Sequence, residues 1–485
     1  MEGPRIGVLV VAYNASTTLR SVLDRIDPDF RSRIAGVLVS DDHSADDTYS
    51  VGVEAQQELA GLPITVVRQP RNLGYGGNQK FGYRWAVEHG LDVVVMLHGD
   101  GQYAPELLAD VVAPLVSGEA DVVMGSRMMT RGAARAGGMP LYKFVGNRIL
   151  TRFQNTVSGL HLSEWHSGYR AFSVAALARI PFEQNSDGFD FDTEVLLQLH
   201  DSGARIVEVP IPTYYGDEIC YVEGVSYARA VTADVLRYRL QRVGFGDDSL
   251  AVTSDSYEMK PDSTSSHGRL LSWTAGSPAG RVLDVGCADG FVAEHLRAAG
   301  HHVTGIDVVA RPGVKQRVDR FVEADLDHGL PVGLADDGLF DVVVAADVLE
   351  HVRDPESVLR ELHGVLAPGG RLLVSVPNFG HWYPRLRVAS GRFDYDRRGI
   401  LDRGHVRFFT RRSFERVLHR SGWHAVRRDV TGLPFDVADR GGAGGGAGSG
   451  LRSTVGRLDH LGVKLRPTLF GYQLLYDLEP AIGHV

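Results

Sequence analysis

The fold class is α/β, and three observations predict it. Strand-like and helix-like stretches alternate from the first residues. The alternation restarts after residue 280 with different turn chemistry. Polar clusters stand at the ends of short apolar runs. A βαβα order implies a mostly parallel sheet with helices on both faces, and ligands of such sheets gather at the carboxyl ends of the strands. The 485 residues exceed one ordinary domain. Together these features predict two Rossmann-like three-layer domains over 1–242 and 255–485, joined by a linker over 243–254.

The elements follow in order. IGVLVVAYN (6–14) reads as a strand, STTLRSVLDRI (16–26) as a helix and AGVLVSDD (35–42) as a strand. Residues 44–60 read as a helix, ITVVRQP (64–70) as a strand and 76–89 as a helix. VVVML (93–97) is a buried strand delivering His98-Gly99-Asp100-Gly101-Gln102 to a loop. The stretch 243–280, rich in Gly, Asp and Ser, reads as a linker and a short helical lead-in. RVLDVG (281–286), HVTGID (302–307), FDVVVAAD (340–347) and RLLVSVP (371–377) are the strands of the second unit, with helices over 290–299 and 355–366. Residues 436–450 form a glycine-rich inserted loop. The segment 469–478 is a last strand that rejoins the second sheet.

Composition narrows the function. The chain is 44% hydrophobic and 23% charged, as globular proteins are. A net charge of −9 argues against a nucleic-acid-coating protein. Two distant cysteines, Cys220 and Cys287, make neither a disulfide framework nor a zinc site, so free thiols in a reducing cytoplasm are expected. There is no signal-peptide pattern and no apolar run of the ~20 residues that span a bilayer, so membrane contact is expected to be peripheral at most.

Six clusters carry the first half: VVAYN (10–14), DDHSADDT (41–48), NLGYGGNQKFG (72–82), HGDGQYAPE (98–106), GSR (125–127) and HSGYRAFS (166–173). Together they resemble family 2 glycosyltransferases of the GT-A fold, nearest the dolichol-phosphate-mannose-synthase-like group, over about residues 5–240. The resemblance implies a nucleotide-sugar donor bound by Ala12, Tyr13, Asn14, Asp42, Asn72, Lys80 and Asp100. It also implies a divalent cation, Mn or Mg, at Asp100, Gln102 and His98. The family's first metal-site carboxylate is replaced by His98. Imidazole ligates Mn²⁺ tolerably and Mg²⁺ poorly, so the site either favours manganese or uses His98 as a hydrogen bonder. Arg127 and Arg170 are expected to meet phosphate oxygens as bidentate forks. His166, Asp190, Asp192 and Glu194 are candidates for the base that an acceptor hydroxyl requires. A lipid-phosphate acceptor requires none. The acidic stretch around Asp217 and Glu218 argues against that acceptor, so a glycan and a polyprenyl phosphate both stay open.

RVLDVGCADGFVAEHL (281–296) places a glycine turn between a strand and a helix, with Gly286 and Gly290 four apart. A dinucleotide fold would want GxGxxG. The stretch resembles motif I of class I S-adenosylmethionine-dependent methyltransferases, with Ala288 in place of the middle glycine, and the resemblance covers about 255–480. It implies S-adenosylmethionine held by Asp284, Gly286, Gly290, Asp307, Asp325 and Asp347. GRFDYDRRGILDRGHVRFFT (391–410) resembles a segment of methyltransferases from cell-surface glycan pathways, and His351, His381 and above all His405 are base candidates. The expectation is a bifunctional cytoplasmic enzyme that glycosylates and then methylates one glycan or carrier. The rivals are a tailoring enzyme for a small aglycone and a chain with one catalytically silent half.

Overall fold

The computed structural model describes residues 3–481 except 60, 215–222, 243–244, 247–248, 251, 253–264, 276–277, 397 and 434–458. The glycine-rich tract, the acidic stretch around Asp217 and Glu218, and Cys220 lie outside the described residues. The chain divides into two compact units. Within the stretch read as a linker, Leu250 is fully buried in a core of the first unit, and Phe245 packs with Ile400 and Tyr472 in the second.

The first unit holds a seven-stranded sheet: β1 (Ile6–Ala12), β2 (Ile34–Asp41), β3 (Ile64–Arg68), β4 (Val93–His98), β5 (Val122–Ser126), β6 (Arg170–Ser173) and β7 (Ile206–Pro210). Their order is β3-β2-β1-β4-β6-β5-β7. The two faces of the central strand are buried separately. Ile6, Val8, Val10 and Ala12 enter one core, while Leu9 and Val11 enter another. This is the alternation of a strand covered on both sides, and it makes the unit three-layered. The expectation of a mostly parallel sheet holds for β3-β2-β1-β4. It is modified further along, because β6 runs antiparallel to both β4 and β5.

The second unit holds β8 (Arg281–Val285), β9 (His302–Asp307), β10 (Arg320–Glu323), β11 (Phe340–Ala346), β12 (Leu366–Pro377), β13 (Trp423–Thr431) and β14 (Gln473–Pro480). The order is β10-β9-β8-β11-β12-β14-β13. The first five are parallel, and β14 is antiparallel to β12 and to β13. The expected last strand therefore does rejoin this sheet. It lies between two strands that precede it in the chain. Leu283 and Val285 face one core and Val282 the other, so this sheet is also covered on both faces.

Candidate active sites

β1 lies between β2 and β4, with Ala12 in register with Asp41 and Val11 with His98. The polar clusters that follow these strands therefore share one carboxyl edge, at the point where the strand order reverses. Asn14 holds the end of β1 with φ +48°. Its amide donates to Ser44 Oγ at 2.9 Å, and its Oδ1 accepts from the Ala45 amide at 3.0 Å. Asp46 takes hydrogen bonds from Ser16 and Thr48. Against the upward push of burial, these hold its carboxyl at about 2. Tyr13 is 41% exposed beside this edge.

Asp42 is buried, and each of its oxygens accepts a backbone amide: Leu73 at 2.7 Å and Gly74 at 3.1 Å. Burial raises its pKa and the two amides oppose the rise. Asp42 thus pins the loop after β3, where Asn72 Oδ1 accepts the Gly74 amide at 2.9 Å. The glycines of this loop serve backbone packing. A Cβ at Gly76 would lie 2.5 Å from Ser186 O, and one at Gly74, where φ is +81°, 2.5 Å from Asp187 O. Lys80, expected at the donor, is instead buried. Its ammonium donates to Asn185 O and, at 2.8 Å, to Asp187 Oδ1. A cation so enclosed clamps the 185–187 loop onto the helix Tyr75–Glu88.

Both arginines expected at phosphate are engaged by protein groups. Arg127 is buried against Glu164, with Nε 3.0 Å from Oε1, and a further N–H reaches His166 O at 3.1 Å. Arg170 is 1% exposed. It donates to Ser167 O, Asp192 O and Trp165 O, each at 2.8 Å, and stands 3.5 Å from the Asp192 carboxylate. These guanidinium forks close on protein, so both residues position the loops that carry His166 and Asp192.

His98 ends β4. Its Nε2 lies 3.1 Å from Tyr75 Oη, which donates to Asp192 Oδ2 at 3.1 Å, and its ring packs edge-on to Tyr75 and Tyr103. The Tyr75 proton is committed to Asp192, so His98 donates from Nε2 and keeps its lone pair on Nδ1. Burial lowers the His98 pKa, leaving the ring neutral. Asp100 and Gln102 are half-buried in the following loop, where the Gln102 amide donates to Asp100 Oδ1 at 2.9 Å.

Among the base candidates, His166 has Nδ1 on Tyr227 Oη at 2.8 Å and a buried Nε2 without a partner, and burial lowers its pKa to about 4. Asp192 already accepts from Gln79 and Tyr75. Glu194 takes the Ser186 amide at 2.6 Å, and burial raises its pKa to about 7. Ser186 Oγ donates to Asp190 at 2.8 Å.

In the second unit the turn after β8 takes three left-handed residues: Gly286 (φ +70°), Ala288 (φ +47°) and Gly290 (φ +77°). A Cβ on Gly286 would lie 2.5 Å from Val348 Cγ2, which explains that glycine. Gly290 starts the helix Phe291–Ala298. The Ala288 amide donates to Asp307 Oδ2 at 2.8 Å, tying the turn to the end of β9. Asp284 is buried with Oδ2 unpartnered, and burial, then Asp307, raises its pKa to about 7. Asp325 is half-exposed after β10, where it caps a short turn by accepting the Asp327 amide.

Asp347, expected beside the methyl donor, is held by neighbouring strands. It sits at φ +56°, and its oxygens accept Ser375 Oγ at 2.7 Å and Gln473 Nε2 at 2.6 Å. Its carboxylate secures β11 to β12 and β14, and Gln473 is a residue of this edge that sequence reasoning missed. His381 caps the helix Trp382–Ala389 through Nδ1, with its pKa lowered to about 4 by burial. His405 is buried and packs edge-on to His351, with Nδ1 3.3 Å from Ile400 O.

Comparison with known proteins agrees with this division. The model of glycosyl transferase family 2 matches residues 7–180, and a methyltransferase domain model matches 263–427. A UDP-N-acetylglucosamine–dolichyl-phosphate N-acetylglucosaminyltransferase of Methanococcus voltae is 28% identical over 225 residues, 44% of this chain and 88% of the relative. An undecaprenyl-phosphate mannosyltransferase of Micrococcus luteus is 30% identical over 211 residues, 43% of this chain and 82% of the relative. A ubiquinone biosynthesis O-methyltransferase of Pseudomonas aeruginosa is 37% identical over 109 residues, 21% of this chain, and the chain spans about half of that relative, 47%. The chain belongs to glycosyl transferase family 2 through its first unit and carries a methyltransferase domain as its second.

Proposed function

We propose that the first unit transfers a sugar, with inversion, from a nucleotide-sugar donor to a polyprenyl-phosphate-type acceptor. The second unit then methylates the same glycan or its carrier from S-adenosylmethionine. The observation that carries the first half is the shared carboxyl edge of β2, β1 and β4, where Asp42, Asn14 and Asp100 stand side by side in the strand order. The residue types fit a divalent cation there, because a half-buried carboxylate, an amide side chain and an imidazole lie within residues 98–102 at this edge. A bound cation would offset charge on the diphosphate leaving group. Asp100 and Gln102 would hold it, and Tyr75 and Asp192 would fix the His98 ring.

Two relatives are named for lipid-phosphate acceptors, and one surface supports the same class here. The helix Leu141–Ser158 turns Leu141 (61%), Tyr142 (73%), Val145 (44%) and Ile149 (64%) outward, with Lys143, Arg148 and Arg152 on the same helix. An apolar stripe with basic residues suits the surface of an anionic membrane. Among the described residues no helix is long and apolar enough to cross one.

In the second unit the left-handed turn at 286–290, Asp307 at the end of β9 and Asp284, with one buried oxygen unpartnered, fit a nucleoside-bearing methyl donor. Such a donor supplies an electrophilic methyl carbon. The chain's part is to align an acceptor with it. The test uses the full chain with a panel of nucleotide sugars, methyl-labelled S-adenosylmethionine and vesicles containing polyprenyl phosphate. Sugar and methyl labels are expected on one lipid-extractable product. The two labels on unrelated acceptors would refute the coupling.

A further inference from the structure

Three carboxylates of the first unit converge where two helices meet. Asp190 and Glu194 stand one turn apart at the start of the helix Phe191–Asp201, and Asp234 belongs to the helix Gly224–Arg242. One ligating atom from each lies within 4.8 Å of the other two. Glu194 and Asp234 are both buried. Like charges held this close repel, and burial adds to the cost. Arg237 reaches them from the second helix. Its Nη2 donates to Asp234 Oδ1 and lies 3.3 Å from Glu194 Oε1, and its side chain is 45% exposed. One guanidinium answers one of the three negative charges. Asp234 is 2% exposed, and its second oxygen, Oδ2, is buried with no hydrogen-bond partner among the described residues. Native structures leave few such atoms. Asp190 occupies the N-cap position, yet its side chain does not cap the helix and takes Ser186 Oγ at 2.8 Å instead.

We propose that Asp190, Glu194 and Asp234 bind a hard divalent cation, calcium by preference, separate from the cation assigned to Asp100. Carboxylate oxygens alone select calcium, magnesium or manganese over zinc and copper. Magnesium demands a near-ideal octahedron, whereas calcium accepts irregular oxygen sets completed by water. Arg237 answers one of the three charges, and a divalent cation answers the other two. Asp190 is half-buried and Arg237 reaches the surface, so the ion and its waters enter beside them. The ion joins the helix Gly224–Arg242 to the loop before Phe191. Lys80 already clamps that loop at Asn185 and Asp187. Phe189 of the same loop stacks on Tyr75 with ring centroids 5.0 Å apart, and Tyr75 bonds to His98 and Asp192. The ion thereby positions the loop that packs on the His98 edge without being a ligand of the donor. This positioning role rests on the sugar-transfer reading of that edge. The ion site does not.

The test is calorimetric titration of the chelator-dialysed full chain with calcium chloride. An equivalent of calcium is expected that Asp100→Asn retains. Asp234→Asn and Glu194→Gln are each expected to weaken it about 10-fold or more, because the charge of the ligands sets calcium affinity. Arg237→Gln is expected to strengthen it about 10-fold, because the competing cation is gone. That side chain reaches the surface, so its variant keeps the fold even where a carboxamide does not. No calcium equivalent in the wild type overturns the site. So does an equivalent lost in Asp100→Asn, or one that none of the Asp234, Glu194 and Arg237 variants moves. The nucleotide-sugar panel is then titrated with and without calcium. Calcium is expected to tighten binding of one member about 10-fold in the wild type and not in Asp234→Asn. Sugar binding indifferent to calcium refutes the positioning role and leaves the ion site standing. Calcium bound through these residues in a chain that binds no member of the panel sustains the ion site and refutes the donor reading.

Discussion

The two carboxyl edges treat several of their charged side chains differently. In the first unit Arg127, Arg170, Lys80 and Asp42 are all spent on protein: a carboxylate, three carbonyls, a loop and two amides respectively. In the second unit Glu350 and one oxygen of Asp284 are buried with no partner. The first edge is a scaffold whose charges hold loops in place, and the proposed function gives the ligand to Asp100 and Gln102. The second edge keeps unspent lone pairs inside the protein. Buried charges stabilise a particular arrangement only when every member is satisfied. The difference therefore separates charges that build from charges that wait.

The strongest way to break this comparison is Arg170→Ala. It leaves three carbonyls without their donor and the Asp192 carboxylate without its counter-charge, and a loss of about 3–5 kcal/mol from the first unit's denaturant unfolding is expected. Unchanged unfolding with weaker donor binding would make Arg170 a phosphate ligand after all. Asp100→Asn is expected to do the reverse. Sugar transfer falls about 10²- to 10³-fold in a nucleotide-release assay, while the unfolding midpoint stays within about 0.5 kcal/mol.

A third measurement sharpens the second half of the contrast. The Asp284 pKa is raised to about 7 in the folded chain, above the ordinary carboxylate value, so the folded state binds this proton more tightly than the unfolded state does. Its contribution to stability is present at low pH and is lost as pH rises from the ordinary carboxylate range through about 7. Asp284→Asn is expected to flatten that decline, measured as the unfolding free energy of the second unit against pH. The smallest effect belongs to Ala288, which holds φ +47° with a side chain. Ala288→Gly is expected to stabilise the second unit by about 1 kcal/mol in urea unfolding.

The strand frame was legible because buried strands are short apolar runs that end in glycine and acid, as VVVMLHGDG does. The placement of the last strand in the second sheet was legible for the same reason. β6 was not, because four residues, RAFS, carry too little pattern to show an antiparallel insertion. The identity of the site loops was readable, but the fate of their cations was not. Arg127 is answered by Glu164, 37 residues away, and Lys80 by Asp187, 107 residues away. Such partners are chosen by the fold, and sequence spacing holds no trace of them. His351 and His405 were readable as base candidates, but their meeting beside Glu350 was not, since His405 lies 54 residues beyond His351 in the chain.

β14 sits between β12 and β13 yet follows both in the chain. A polypeptide leaving the ribosome amino end first meets a delay here. The first unit has its whole sheet in hand by residue 210 and is free to fold while the rest is translated, as domains in tandem generally do. The second cannot join β13 to its sheet until the strand bearing Gln473 has been made. Through that interval the flank of β12 that β14 later covers is an open strand edge, the kind of edge other chains can pair with.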